Sequence, residues 1–226
     1  MTLLGFTLSV RVNAVEADGW WKNFEIGTRS TWVYLTDHQR DVNATSATMG
    51  SFYGSINQLN SVQNYWPFKP FVDYKFCPYG GVELAWDYCS VRTITRGDGH
   101  TDGDLNIMGP MLSVFVRYPN TTDLTPYAGA GVAYYRVDFN EDADWHNPPG
   151  RPEILTMDFD HTYGLFGYGG VIWKFADNWT ADLYLRYTKV DAEGTHWEGP
   201  YGTSYGGSPS FPLSNVAAGL GVRYSF

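Results

Sequence analysis

The sequence is poor in charge and in cysteine, and it contains no long apolar run. Only 17% of the 226 residues are charged, and 24 acidic residues outnumber 15 basic ones, giving a formal net charge of −9. An acidic chain of this kind is a poor binder of nucleic acid. Two cysteines are too few for a disulfide scaffold or a zinc cluster. No apolar stretch reaches the roughly 18 residues that predict a transmembrane helix.

Aromatic residues are abundant by contrast. Phe, Trp and Tyr together form 17% of the chain, which argues against intrinsic disorder. The length suits one large or two small domains. A transmembrane β-strand needs only about ten residues of alternating pattern. The lack of long apolar runs therefore does not exclude a membrane protein.

Eight segments alternate between two kinds of residue with a period of two, as β-strands do. No helical stretch competes with them. One segment, 126–139, is apolar in both registers, so its two faces stay unassigned. The eight segments are 24–35, 68–76, 82–88, 108–117, 126–139, 162–173, 179–187 and 215–226.

The connections between these segments alternate in length. Short turns lie at Pro78–Gly80, Pro119–Asp123 and Ala176–Asn178. Long polar connections, predicted as extracellular loops, lie at about 37–66, 95–106, 140–157 and 190–212. This alternation is typical of a transmembrane barrel with short periplasmic turns. We therefore predict an all-β protein whose residues 18–226 form one eight-stranded antiparallel up-and-down transmembrane β-barrel. In the longest connection, a hairpin around Ser51–Ile56 is expected to extend the barrel above the membrane.

The first 17 residues resemble a truncated secretory signal peptide. Leu3 to Val10 is apolar, and Val15 and Ala17 have the small-residue spacing that precedes cleavage before Asp18. The basic residue, Arg11, follows the apolar stretch instead of preceding it. An N-terminal strand is the alternative interpretation.

The charged residues share one face of the alternating segments. That face suits a charged lumen inside a membrane barrel, but it also suits the surface of a soluble, lipocalin-like barrel or of an aromatic-rich sandwich. If the face is internal, its acids and bases form a paired network that either plugs the lumen or gates a solute path. The set is Glu25, Arg29, Glu83, Asp87, Arg117, Asp182, Arg186 and Arg223.

Aromatic residues at the ends of the segments favour the membrane barrel. Pairs of them bracket four segments, and eight residues of tilted strand rise roughly 20 Å, close to the apolar band of such barrels. Rings at both edges of that band are the expected interfacial girdles. The pairs are Phe24 and Tyr34, Phe68 and Phe76, Tyr163 and Trp173, and Trp179 and Tyr187.

The end of the sequence resembles the signal that the outer-membrane barrel assembly machinery reads. Gly221, Tyr224 and Phe226 match its glycine and two aromatic positions, whereas Gly219 stands where a polar residue is usual. The segments PYAGAGVAYYRVDF and WTADLYLRYTKV are similar to two strands of OmpW-like proteins. Residues from about 20 to 226 thus resemble small bacterial outer-membrane barrels of the OmpW and OmpA-transmembrane type.

This resemblance implies a location and a set of partners. We expect a monomer in the bacterial outer membrane, in contact with lipid and lipopolysaccharide and assembled by the barrel assembly machinery. For OmpW-like members the resemblance implies passive passage of small hydrophobic molecules. The alternative is a structural or surface-binding barrel that serves in adhesion or as a phage receptor. A lipid-modifying enzyme is a remote alternative, and no enzymatic activity is expected.

The remaining motifs give no catalytic, cofactor or metal site. Residues 96–104 offer Asp98, Asp102 and Asp104, but His100 and Gly109 replace expected calcium ligands, so a solvated loop is expected. No His-x-Ser arrangement involves His38, His100, His146, His161 or His196. Cys77 and Cys89 are expected roughly 20 Å apart along the strands, which predicts free thiols.

Overall fold

The computed structural model describes residues 17–36, 55–56, 65–94, 101–147, 154–199, 204–208 and 210–226. The predicted signal peptide lies outside these residues except for Ala17, where a 3₁₀ turn, Ala17–Asn23, begins. No helix among the described residues is long and apolar enough to cross a membrane.

Extended backbone dominates the described residues. Within the described ranges the one α-helical segment is α1, Ala143–His146. The strands are β1 (Phe24–Leu35), β2 (Ser55–Ile56), β3 (Tyr65–Cys77), β4 (Gly80–Ile94), β5 (Thr101–Arg117), β6 (Leu124–Glu141), β7 (Thr156–Phe159), β8 (Thr162–Lys174), β9 (Trp179–Lys189), β10 (Asp191–Glu198), β11 (Ser204–Gly207), β12 (Ser210–Pro212) and β13 (Asn215–Ser225).

Eight of these strands close into an antiparallel barrel in the order β4, β3, β1, β13, β9, β8, β6, β5, with β5 returning to β4. The first and last strands pair from Glu25 opposite Ser225 to Leu35 opposite Asn215. The predicted eight-stranded barrel is confirmed, and each alternating segment of the sequence coincides with one of its strands. Below, the end with the three short turns is called the turn end, and the opposite end the loop end.

The outer face of the barrel is apolar and exposed, whereas the charged face is internal. The aromatic residues predicted to bracket the strands lie outside, for example Phe68, 60% exposed, and Tyr163, 73% exposed. All eight residues of the predicted charged set are less than one-fifth exposed, and Asp182 is 1% exposed. In a soluble barrel the charged face would be external, because charged side chains are more stable in water than in a protein interior. This inside-out pattern is that of a barrel in lipid.

The structure also assigns the faces of β6, which the sequence left open. Tyr127 and Tyr135 are buried in the interior, whereas Val132 and Tyr134 are exposed on the outer face. Both registers of this strand are apolar because its inward side chains pack in the barrel and its outward ones face lipid.

Part of the predicted loop sequence forms a second sheet at the loop end. The predicted connection 190–212 joins two barrel strands and contains β10, β11 and β12. β10 pairs with β7, with β11 and with β12. The second sheet folds because it buries apolar side chains that a solvated loop would expose, namely Leu155, Met157, Ala192, Phe211 and Leu213.

Two other loop boundaries also need correction. β5 already begins at Thr101, inside the predicted loop 95–106, because it pairs with the long strand β4 as far as Ile94. Within 37–66, β2 pairs with the same strand, placing Ser55 opposite Ile94. The rest of the predicted hairpin, 51–54, lies outside the described residues.

Candidate functional site

A cluster of eight charged side chains fills the turn-end half of the barrel. We call it the turn-side cluster. It contains four acids and four bases, so its formal charges cancel. Its members are Glu25, Arg29, Asp73, Lys75, Glu83, Arg117, Asp182 and Arg223.

Arg29 joins three strands within this cluster. Its Nη1 and Nη2 donate to the two carboxylate oxygens of Glu83 at 2.8 and 2.7 Å, and its Nε donates to Asp182 at 2.7 Å. The guanidinium carbon also lies 4.0 Å from the centre of the Phe71 ring and 4.4 Å from that of Tyr184. Two parallel hydrogen bonds and two aromatic faces fix the guanidinium plane.

The remaining bases of the cluster link the same acids to other strands. Arg223 donates to Asp73 and, at 3.2 Å, to Asp182. Arg117 Nη2 lies 2.6 Å from Glu25 and 2.9 Å from Asp73. Each acid therefore faces at least one base, as buried charge requires.

A second and smaller group lies nearer the loop end. We call Lys69, Asp87 and Arg186 the central cluster. Asp87 accepts hydrogen bonds from Lys69 at 2.6 Å, from Arg186 at 2.6 Å and from the Tyr135 hydroxyl at 2.9 Å. Arg186 Nη1 lies 2.8 Å from the sulfur of Met111. This group holds two bases against one acid.

The structure brings the predicted charged residues together in these two clusters. Asp87 and Arg186 belong to the central cluster and the other six to the turn-side cluster. The prediction omitted Lys69, Asp73 and Lys75, although all three alternate with the outward Phe68, Pro70 and Val72 of β3 and are detectable by the same rule. Tyr127 and Tyr135 were missed because the faces of β6 were unassigned.

Above the central cluster the interior becomes apolar. Between this cluster and the second sheet, the buried side chains carry almost no charge. We call them the apolar layer. It is formed by Val33, Leu35, Leu105, Ile107, Val137, Val190, Leu213 and, from the second sheet, by Leu155, Met157 and Phe211.

The wall beside this layer has a gap in its backbone pairing. β3 and β4 pair only from Phe71 opposite Ala85 toward the turn end. Among the described residues no ladder joins 65–70 of β3 to 86–92 of β4, and we call this stretch the seam. Pro67 and Pro70 lie in it, and proline cannot donate a ladder hydrogen bond.

Side chains bridge the seam where the backbone does not. On the inside, Lys69 contacts Asp87. On the outside, the rings of Trp66 and Tyr88 lie with their centres 4.5 Å apart. Among the described residues, the seam is therefore closed by side-chain contacts and not by a backbone ladder.

Other sequence motifs do not form a site among the described residues. Residues 96–100 of the calcium-like motif lie outside them, and Asp104 pairs with Arg92 at 3.0 Å. No group of three metal-binding side chains occurs in the described part of the chain. Cys77 and Cys89 are free thiols, as predicted.

The C-terminal aromatics lie on the outer face at the turn end. The Tyr224 ring lies 5.2 Å from that of Phe226 and 5.1 Å from that of Trp179 on the neighbouring strand. Gly221, opposite Arg29, leaves no room for a side chain because a Cβ there would lie 2.8 Å from the Thr28 carbonyl oxygen.

Comparison with known families identifies this architecture. The family model of the OmpA-like transmembrane domain matches residues 23–225. The chain belongs to this family. As a member of the OmpA-like transmembrane domain family, it is an integral β-barrel of the bacterial outer membrane.

Solved structures agree with this fold. Outer membrane protein OprG of Pseudomonas aeruginosa is 18% identical with a TM-score of 0.63, over 90% of this chain and 96% of that one. AlkL is 15% identical with a TM-score of 0.59, over 97% of both chains. Escherichia coli outer membrane protein W is 19% identical with a TM-score of 0.52, over 89% of this chain and 97% of that one. A search of curated proteins gives no significant match.

Proposed function

We propose that this barrel lets small hydrophobic molecules pass from the cell exterior into the outer membrane. The observation that supports it most is the position of the seam. It borders the apolar layer, lies above the turn-side cluster and includes Lys69 and Asp87 of the central cluster. A molecule held in the apolar layer would leave sideways through the seam into lipid.

The axial route toward the turn end is unfavourable for such a molecule. It would have to displace ion pairs such as Arg29–Glu83, whose side chains are each 4% exposed. Separating a buried pair leaves uncompensated charge, which costs about 3–5 kcal/mol. The charged clusters therefore act as a structural plug in this proposal, rather than as a gate.

The lateral route requires less disruption. In the described part of the chain, opening the seam breaks the Lys69–Asp87 contact and the Trp66–Tyr88 ring contact, but no backbone ladder. Asp87 keeps its bonds from Arg186 and Tyr135 in the open state. The apolar outer face next to the seam then offers direct entry to lipid.

The test is uptake of a fluorescent apolar probe, N-phenyl-1-naphthylamine, by bacteria with an intact lipopolysaccharide layer. Cells expressing the barrel should take up the probe faster than cells without it. Pro70→Val restores a backbone donor in the seam and should slow this uptake severalfold. Pro110→Val is the matched control, because Pro110 lies on the outer face of β5 within the β4–β5 ladder. Equal uptake with and without the barrel would refute the proposal.

A surface-binding role is the second candidate. The second sheet favours it, because β7, β10 and β11 form a folded surface at the loop end. Cell adhesion or phage adsorption that depends on this sheet, with no change in probe uptake, would support this role. An altered acyl pattern in lipid A after overexpression would instead support an enzyme.

We also propose that the last strand is recognised during assembly. Gly221, Tyr224 and Phe226 match the signal of the barrel assembly machinery. The exposed rings on the rest of the outer face suit contact with lipid and lipopolysaccharide. Before β13 pairs with β1, its free edge can pair with a strand of that machinery. Deleting Phe226 should reduce the amount of folded barrel in the outer membrane. We expect the assembled barrel to be a monomer.

A further inference from the structure

The central cluster has an excess of one positive charge. Lys69 and Arg186 face a single carboxylate, Asp87, and all three side chains are 4–5% exposed. The turn-side cluster is balanced, so it does not supply the missing negative charge. A buried excess charge is costly unless a counter-charge approaches it.

Arg186 also has unused hydrogen-bond donors. Its Nη2 donates to Asp87, but among the described residues its Nη1 contacts only the Met111 sulfur, a weak acceptor. Its Nε is buried and has no hydrogen-bond partner among the described residues. A guanidinium in this state can still bind a carboxylate.

The surroundings of Arg186 are apolar on the side of the loop end. Thr188, two residues further along the same face of β9, is fully buried, and its hydroxyl is unpartnered among the described residues. Beyond it come Val190 and Leu213 of the apolar layer, which are 3% and 0% exposed. A guanidinium with an unpartnered Nε thus lies at the inner end of the apolar layer.

We propose that the barrel prefers amphiphiles with an apolar chain and one carboxylate, and that Arg186 binds the carboxylate. The apolar chain of the amphiphile lies among the side chains of the apolar layer. The carboxylate neutralises the excess positive charge of the central cluster. Thr188 offers a further hydrogen bond to the same head. This inference rests on the proposed function, because it names the class of molecule that the apolar layer accepts.

The test compares three probes of equal chain length: octanoate, octanol and octylamine. The full-length barrel is placed in lipid nanodiscs, and each probe is titrated while the backbone amide signals around Thr188 are followed by NMR. Octanoate should bind about tenfold more tightly than octanol. Octylamine should bind more weakly than octanol, because its charge repels the excess positive charge.

Three variants separate the charge from the donors. Arg186→Gln and Lys69→Gln each leave one base against Asp87, so both clusters are then balanced, and both variants should lower the affinity for octanoate to that for octanol. Arg186→Lys keeps the charge but removes Nε, and it should lose part of the preference. Fold is checked by the change in gel mobility on boiling.

The outcomes distinguish this inference from the function on which it rests. Equal binding of octanoate and octanol by the wild-type barrel would overturn the carboxylate preference and leave passage of hydrophobic molecules in place. If, in addition, cells with and without the barrel took up N-phenyl-1-naphthylamine equally, both the carboxylate preference and the proposed function would be overturned. If one variant does not fold, the wild-type comparison and the remaining variants still decide.

Discussion

Arg29 Nε and the Asp182 carboxylate lie 2.7 Å apart, although 153 positions separate the two residues in the sequence. The contact crosses the lumen from β1 to β9, and the same guanidinium holds Glu83 of β4 with two further hydrogen bonds. One side chain thus ties three strands of the barrel together. Its removal should affect stability more than the loss of any exposed ion pair.

Arg29→Met should lower the free energy of unfolding by about 3–5 kcal/mol, because Glu83 then loses both hydrogen bonds from this guanidinium inside the barrel. Urea unfolding of the barrel in lipid vesicles measures this change. Arg136→Met is the matched control, since the Arg136–Asp138 pair is exposed on the outer face. The control should cost at most about 1 kcal/mol. Equal effects of the two substitutions would contradict a stabilising lumen network.

How far the sequence alone predicts this molecule depends on the region. The barrel strands follow from alternation over 7–14 residues and from turn residues at Pro78–Gly80 and Ala176–Asn178, both of which are local signals. Alternation alone does not decide whether the charged face is internal or external. A period of two shows which residues share a face, but not which face is internal. Aromatic residues at the strand ends favour a barrel in a membrane.

The parts that local patterns could not predict depend on distant contacts. β10 follows β9 after Val190 alone, but it pairs with β7, more than 30 residues earlier in the chain. Its own alternation is short, so the segment resembled a polar loop. The division of the lumen charges into two clusters likewise depends on register across β3, β4 and β9. The unequal charge of Lys69, Asp87 and Arg186 becomes visible only when that register is known.

The two cysteines should differ in accessibility. Cys89 is buried on the inner face of β4, whereas Cys77 is half-buried at the end of β3 beside a turn. A water-soluble maleimide should therefore modify Cys77 of the folded barrel in detergent, and modify Cys89 only after unfolding in urea. Mass spectrometry of tryptic peptides measures both reactions. Equal modification of both thiols in the folded barrel would contradict the burial of Cys89, and a disulfide in the unreduced protein would contradict both free thiols.

Two glycines of β8 should respond in opposite ways to alanine. A Cβ at Gly170 would lie 2.0 Å from the Leu183 carbonyl oxygen and 2.8 Å from the Tyr127 ring. Gly170→Ala should therefore cost about 1–3 kcal/mol or more, since backbone and ring have to move. A Cβ at Gly167 meets no atom nearer than 3.9 Å.

Gly167→Ala, in the same strand, should change stability by no more than about 1 kcal/mol and in the stabilising direction, because alanine loses less backbone entropy than glycine on folding. Urea unfolding in lipid vesicles measures both variants. A destabilisation by Gly167→Ala as large as that by Gly170→Ala would show that close packing at Gly170 is not the cause.

The second sheet should become less stable in acid because of His196. This histidine of β10 is fully buried, and burial lowers its pKa from 6.5 to about 4. The unfolded sheet therefore binds a proton between about pH 6.5 and pH 4 that the folded sheet does not. The stability of the sheet is complete above pH 6.5 and falls as the pH decreases through this range.

Hydrogen exchange of the β10 amides, expressed as protection factors, measures the effect. Protection should fall at pH 4.5 in the wild-type barrel and in His161→Gln, whose exposed ring lies beside Tyr134. It should fall less in His196→Gln, which cannot take up the proton. The same loss of protection in all three proteins would assign the acid sensitivity to other groups.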